Sequence, residues 1–153
     1  MLLRFCSGNR NELAKLILII RLMNIVLFDG ICNFCNASVL RLIRLDKANQ
    51  LRFVSLQSEY AIKILKSLQL NPEDLNSIVF IKHSSMVYTK STALLEIVKT
   101  LKGFPRVLLI LRIIPRPVRD FLYDQFAKNR YKIFGRREVC MVPSAELKER
   151  FLD

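Results

Sequence analysis

The stretch Met23–Asn36, MNIVLFDGICNFCN, limits what this chain can fold into more than any other. The apolar run Ile25–Phe28 is stopped by Asp29-Gly30, and Cys32 and Cys35 follow at the start of a helical pattern. This reads as buried strand, tight turn, helix. The i, i+3 spacing sets both sulfurs on one side of the first helical turn, the layout that thiol–disulfide chemistry needs. Only a thiolate attacks a disulfide, and the unpaired N–H groups and macrodipole of a helix N-terminus favour negative charge. Cys32, at the mouth, is therefore expected to be the exposed nucleophile. Cys35, one turn deeper and in line with Val39 and Leu42, is expected to be the resolving thiol.

A chain of 153 residues fits one domain and can bury about two-thirds of its unfolded surface without disulfide staples. Its four cysteines, Cys6, Cys32, Cys35 and Cys140, are too few and too unevenly spread for a secreted disulfide framework, so the reading is a cytoplasmic protein in a reducing compartment. Net charge is +12, and residues 103 to 137 hold nine basic and two acidic side chains. That field attracts anionic surfaces without naming one; no specific nucleic-acid partner is expected, and weak contact with an anionic membrane is.

Residues 1 to 22 are a separate lead-in. Leu16–Ile20 is too short for a signal-peptide core or a membrane span. Met23 stands directly before the first strand, so the lead-in reads either as an upstream start or as an added amphipathic helix, with 23–153 as a single domain. Beyond the cysteines, Asn33–Leu45 continues as a helix with a polar stripe of Asn33, Asn36, Arg41 and Arg44. Leu51–Leu56 reads as a strand, and Ser58 caps a helix carrying Ala61, Ile64, Leu65 and Leu68. Asn71-Pro72 opens a brief helical turn. Ser77–Lys82 and Met86–Thr89 flank His83-Ser84-Ser85 as a hairpin, and Ser91 caps a helix that stops at Gly103. Helical patterns follow at Pro105–Ile113 and Pro117–Asn129, then a basic loop through Gly135 and a short helix after Ser144. The order β-α-β-α-β-β-α, with Cys-x-x-Cys after the first strand, is that of an α/β thioredoxin-like fold with additional C-terminal helices.

At this point the chain resembles the DCC family of predicted thiol-disulfide oxidoreductases, whose Asp-x-x-Cys-x-x-Cys signature is met by Asp29, Cys32 and Cys35. A second block matches in order: Arg119-Asp120, Tyr123-Asp124, Asn129-Arg130-Tyr131, Phe134-Gly135, Cys140 and Pro143. The resemblance covers Met23 to about Pro143 and implies a thioredoxin-like fold and dithiol chemistry. Among reducing thiol pools a dithiol rests reduced, so the expected substrate is a disulfide on a protein or small thiol, and no cofactor is expected. One departure is that Leu75, Asn76 and Ser77 stand where thioredoxins carry a cis-proline before the third strand, which puts recognition of a substrate backbone in doubt.

Rival readings remain for several residues. Cys32, Cys35, Cys140 and His83 could assemble a Cys3His zinc set, but no spacing demands it, and no metal is expected. Asp29 is either a turn former or a carboxylate that exchanges protons with Cys35. LFDG is similar to the haloacid-dehalogenase nucleophile motif, but Ile31 occupies the place of its second Asp. Cys140 is either a packing residue or a third redox partner. The run 105–119 reads as a core-packing helix in preference to one lying on a membrane. The tail 117–143 is expected to pack across the sheet in preference to returning to the helix mouth, where Arg130, Arg136 and Arg137 would favour a thiolate.

Overall fold

The computed structural model describes residues 14, 15, 17–19, 22–71, 77–83, 86–101, 106–138 and 147–152. Its elements are β1 (Asn24–Phe28), α1 (Asn33–Leu45), β2 (Leu51–Ser55), α2 (Glu59–Ser67), β3 (Val79–Lys82), β4 (Met86–Thr89), α3 (Lys90–Thr100), a 3-10 segment (Arg106–Ile113) and α4 (Arg116–Phe134). A short 3-10 turn, Lys148–Arg150, follows. The strands form one mixed sheet in the order β2-β1-β3-β4. β1 runs parallel to β2, with Val26 opposite Phe53, and antiparallel to β3, with Val26 opposite Phe80; β3 and β4 form the expected hairpin. The architecture is α/β and consistent with a thioredoxin-like fold.

Alternation along β1 builds the core on both faces of the sheet. Ile25 and Leu27 meet Ala61, Ile64 and Leu65 of α2 on one face. Val26 and Phe28 meet Val39 of α1 and Ala93 and Ile97 of α3 on the other. Each of the valine, leucine, isoleucine and phenylalanine side chains among them, withdrawn from water, contributes about 1.5–3 kcal/mol. A strand covered on both faces reads as a continuous apolar run, which is why Ile25–Phe28 has no polar interruption. Ser58 caps α2 as expected, its hydroxyl accepting the Ala61 N–H at 3.2 Å. Backbone is helical at residues 14, 15, 17–19 and 22, and Ile19 packs with Met23 on the α2 side of the core.

Several expectations are corrected. Ser91 does not cap α3: the cap residue is Thr89, and the Ser91 hydroxyl donates to Asp120 of α4 instead. The stripe assigned to α1 is broken at Asn36, which is buried and donates to the Gly30 carbonyl at 2.8 Å. Residues 106–113 form a 3-10 segment that leaves Val107, Ile110 and Ile113 in solvent, so the core-packing reading of that run fails. Gly103, Cys140, Pro143 and the Asn71-Pro72 turn from Pro72 onward lie outside the described residues, as does the start of the helix expected after Ser144.

Candidate active site

The site forms where β1 ends and α1 begins. Cys32 is the N-cap of α1, and its sulfur accepts the Cys35 N–H at 3.3 Å. Ser, Thr, Asp and Asn are the residues that stabilise this position best. A cysteine there gives up capping strength and puts a sulfur where the orphan N–H groups converge. Both thiols are free. Cys35 is partly buried, and burial, with the neighbouring Cys32 sulfur next, raises its thiol well above the ordinary range, opposed by the charge of Arg130. Asp29 adds to the rise.

The expected order of exposure is reversed. Cys32 is 0% exposed, whereas Cys35 keeps some access. The cause is the chain after α4, which crosses the mouth of α1. Cys32 pairs with Arg136 as an antiparallel bridge, and the Arg137 N–H donates to the Ile31 carbonyl at 2.8 Å. Asn33 ties the crossing down from both ends, donating to the Phe134 carbonyl at 3.0 Å and accepting Arg137 Nε at 2.9 Å. Gly135 permits the change of direction with φ +79°, and a Cβ there would sit 3.1 Å from Asn33 Nδ2. The tail thus returns to the helix mouth, against the expectation that it would pack across the sheet. Phe34, the other residue between the cysteines, packs against Phe126 and Phe134 with ring centroids 4.9 and 4.8 Å away.

Asp29 lies beneath this crossing and is fully engaged. Its Oδ1 accepts the Ile31 N–H at 3.2 Å, which is the turn-forming role, and Gln57 Nε2 at 2.9 Å. Its Oδ2 accepts Arg130 Nη2 at 2.6 Å and the Tyr131 hydroxyl. The Asp29–Arg130 ion pair is buried, with 6% of each side chain exposed. Such a pair holds together only when geometry and further hydrogen bonds offset the loss of water. Burial and the bond to Asp29 raise the Tyr131 phenol above its ordinary value. Tyr123 accepts the Ile78 N–H at 3.0 Å just before β3, and burial raises it too.

Sequence reasoning missed Gln57. Its amide braces the Asp29-Gly30 turn, accepting the Gly30 N–H at 2.9 Å and the Ser55 hydroxyl at 2.7 Å. The available signal was its place just past β2, the strand parallel to β1 and therefore ending at the same edge. His83 is not gathered to the dithiol. Its N–H reaches Asn24 Oδ1, at the start of β1, about 13 Å of strand away from Phe28. Among the described residues no cluster of His, Cys, Asp and Glu could hold a metal ion, so the Cys3His set loses His83.

The described residues of the second block attach α4 to the rest of the fold. Lys90 meets Asp124 at 2.7 Å, Ser91 meets Asp120, Ile78 meets Tyr123, and Asp29 meets both Arg130 and Tyr131. Residues 26–136 match the model of the DCC1-like thiol-disulfide oxidoreductase family, a span that runs from β1 to the crossing over Cys32. The uncharacterized protein YuxK of Bacillus subtilis is 44% identical over 128 residues, 84% of this chain and 93% of its own length. A DCC family protein of Arabidopsis thaliana, named as chloroplastic, is 41% identical over 117 residues, 76% of this chain and 67% of its own. No solved structure matches. With its dithiol at the α1 mouth and Arg130 and Tyr131 of its second block bound to Asp29, the chain belongs to the DCC1-like thiol-disulfide oxidoreductase family.

Proposed function

We propose that this protein is a thioredoxin-like thiol-disulfide oxidoreductase that reduces disulfides through Cys32 and Cys35. The observation that carries the reading is the sulfur of Cys32 at the helix N-cap, accepting the Cys35 N–H at 3.3 Å. Cys32 is the nucleophile: its thiolate attacks one sulfur of a substrate disulfide and expels the other as thiolate, forming a mixed disulfide. Cys35 then loses its proton and attacks the Cys32 sulfur, releasing the second substrate thiol. Two electrons pass to the substrate, and the protein is left with a Cys32–Cys35 disulfide that a thiol donor must reduce.

The raised Cys35 thiol fits the resolving role, because a thiol that holds its proton does not compete for the first attack. Arg130 is the charge that favours its ionisation. Asp29, already bound by Arg130, Tyr131 and Gln57, acts by holding that arginine in place. Burial of Cys32 means that the Arg136 crossing moves aside before a substrate disulfide reaches the sulfur. The substrate is a disulfide-bearing protein or small thiol, in a compartment whose thiol pool keeps the pair reduced, as the cytoplasm does.

Mass spectrometry of the purified protein under mild oxidant tests the reading. Loss of two hydrogens, abolished in Cys32→Ser, is expected, with mixed disulfides trapped by Cys35→Ser. A pair that never loses the hydrogens, or one zinc ion held per chain, overturns it. A reduction potential well above that of the glutathione pool would make the protein an oxidant instead.

A further inference from the structure

Between Val107 and Leu122 the surface is apolar in a way that core packing does not explain. Val107, Ile110 and Ile113 of the 3-10 segment and Phe121 and Leu122 of α4 are each 57–81% exposed. Single apolar residues on a surface are ordinary, but so many large ones between Val107 and Leu122 mark a contact site. The exposure is fixed by the opposite face of α4, which is tied inward by Asp120 to Ser91, Asp124 to Lys90 at 2.7 Å and Arg130 to Asp29 at 2.6 Å. Turning the apolar face inward would break all three attachments.

The geometry points to a peripheral docking surface for anionic lipid, in which the apolar side chains of 107–122 enter the headgroup boundary and Arg112 and Arg116 meet lipid phosphates. Both arginine side chains are more than half exposed. Arg112 shares Glu96 with Lys82 and Lys99, three cations to one carboxylate, so that cluster keeps a positive surplus. Apolar insertion beside basic charge is what binds a helix to an anionic bilayer. A second copy of the chain fits less well, since a two-fold contact would bring Arg112 and Arg116 of both copies together. Residues 107–122 contain no Tyr or Trp, two of the three residue types, with Arg, that anchor protein interfaces, so the basic and apolar character of the face is what favours lipid over a protein partner. Among the described residues no helix is long and apolar enough to cross a membrane, so the attachment is peripheral. Phe121 and Arg130 lie nine residues apart on α4, about 14 Å along its axis, so docking holds the dithiol mouth near the bilayer. The inference does not depend on the dithiol reading.

Vesicle co-sedimentation of the full chain tests it, with vesicles of pure phosphatidylcholine and vesicles that are about one-third phosphatidylglycerol. Binding at least tenfold stronger to the anionic vesicles, weakened by high salt, is expected. Ile113→Asp with Phe121→Asp should lower it at least tenfold, and Arg112→Gln with Arg116→Gln about fivefold per arginine removed. Circular dichroism and an unchanged rate of Cys32 alkylation establish that each variant is folded. Failure of the wild-type chain to sediment with anionic vesicles overturns the inference, as does binding that neither double variant lowers. A wild-type dimer in size exclusion that the aspartate variant dissociates also overturns it, because a second copy would then cover the face.

Discussion

Helices α2 and α4 bury opposite chemistry. α2 turns Ala61, Ile64 and Leu65 onto the sheet and leaves Lys63 and Lys66 outward. Of the α4 residues only Arg130 is buried, while Val118, Phe121, Leu122 and Ile133 face solvent. α2 is held by an apolar stripe at helical spacing, which any sheet face can accept. α4 is held by two ion pairs, by hydroxyl hydrogen bonds of Ser91, Tyr123 and Tyr131, and by Phe34 packing on Phe126 and Phe134, contacts that each join one particular pair. An apolar stripe secures stability, whereas specific polar partners secure position, and position is what a dithiol mouth needs.

The largest effect is expected from Arg130→Ala, which leaves the Asp29 carboxylate buried and unpaired and should cost about 3–5 kcal/mol. Urea unfolding measures it. Pairing Asp29→Asn with Arg130→Met should recover much of the loss, and a loss below about 1 kcal/mol for Arg130→Ala would mean that α4 is not held by its charge pair.

Ile64→Ala in α2 should cost about 3 kcal/mol through the cavity it opens, with the alkylation rate of Cys32 in the folded protein unchanged. A large change in that rate would show that the two helices are not separable.

Asn33→Ala removes both hydrogen bonds that pin the crossing segment and should cost about 1 kcal/mol. Iodoacetamide should then label Cys32 severalfold faster. An unchanged labelling rate would mean that the segment does not limit access to the sulfur.

The smallest effect is a pH dependence. Folding raises the Cys35 thiol, so the folded state holds that proton more tightly than the unfolded chain does. Stability from this source is complete below about pH 9, the ordinary thiol value, and is lost as pH rises beyond it. Cys35→Ala should fall less steeply than wild type in urea midpoints measured upward from pH 9. Tyr123 and Tyr131, also raised, add a decline above about pH 10 that both proteins share. Parallel curves would contradict the raised thiol.

Legibility followed the range of the forces involved. β1, α1, β2 and α2 were readable because their apolar spacing is local and the sheet accepts any side chain of suitable size. The 3-10 segment was misread because an apolar run looks the same whether a core or something outside the protein covers it. Ser91 was misassigned as a cap because a hydroxyl near a helix start serves a distant aspartate equally well.

The sequence by itself determined the dithiol, its place after a buried strand, and the two blocks that mark the family, since each is written in neighbouring residues. Only the tertiary structure decided which cysteine is covered, that Asn33 and Phe34 serve as anchors for α4, and that Asp29 is shared among Gln57, Arg130 and Tyr131. Those contacts join residues 28 to 104 positions apart. Loop closure alone sets no such pairing. It is settled when the sheet, α3 and α4 stand in one frame and each buried polar group must find a partner.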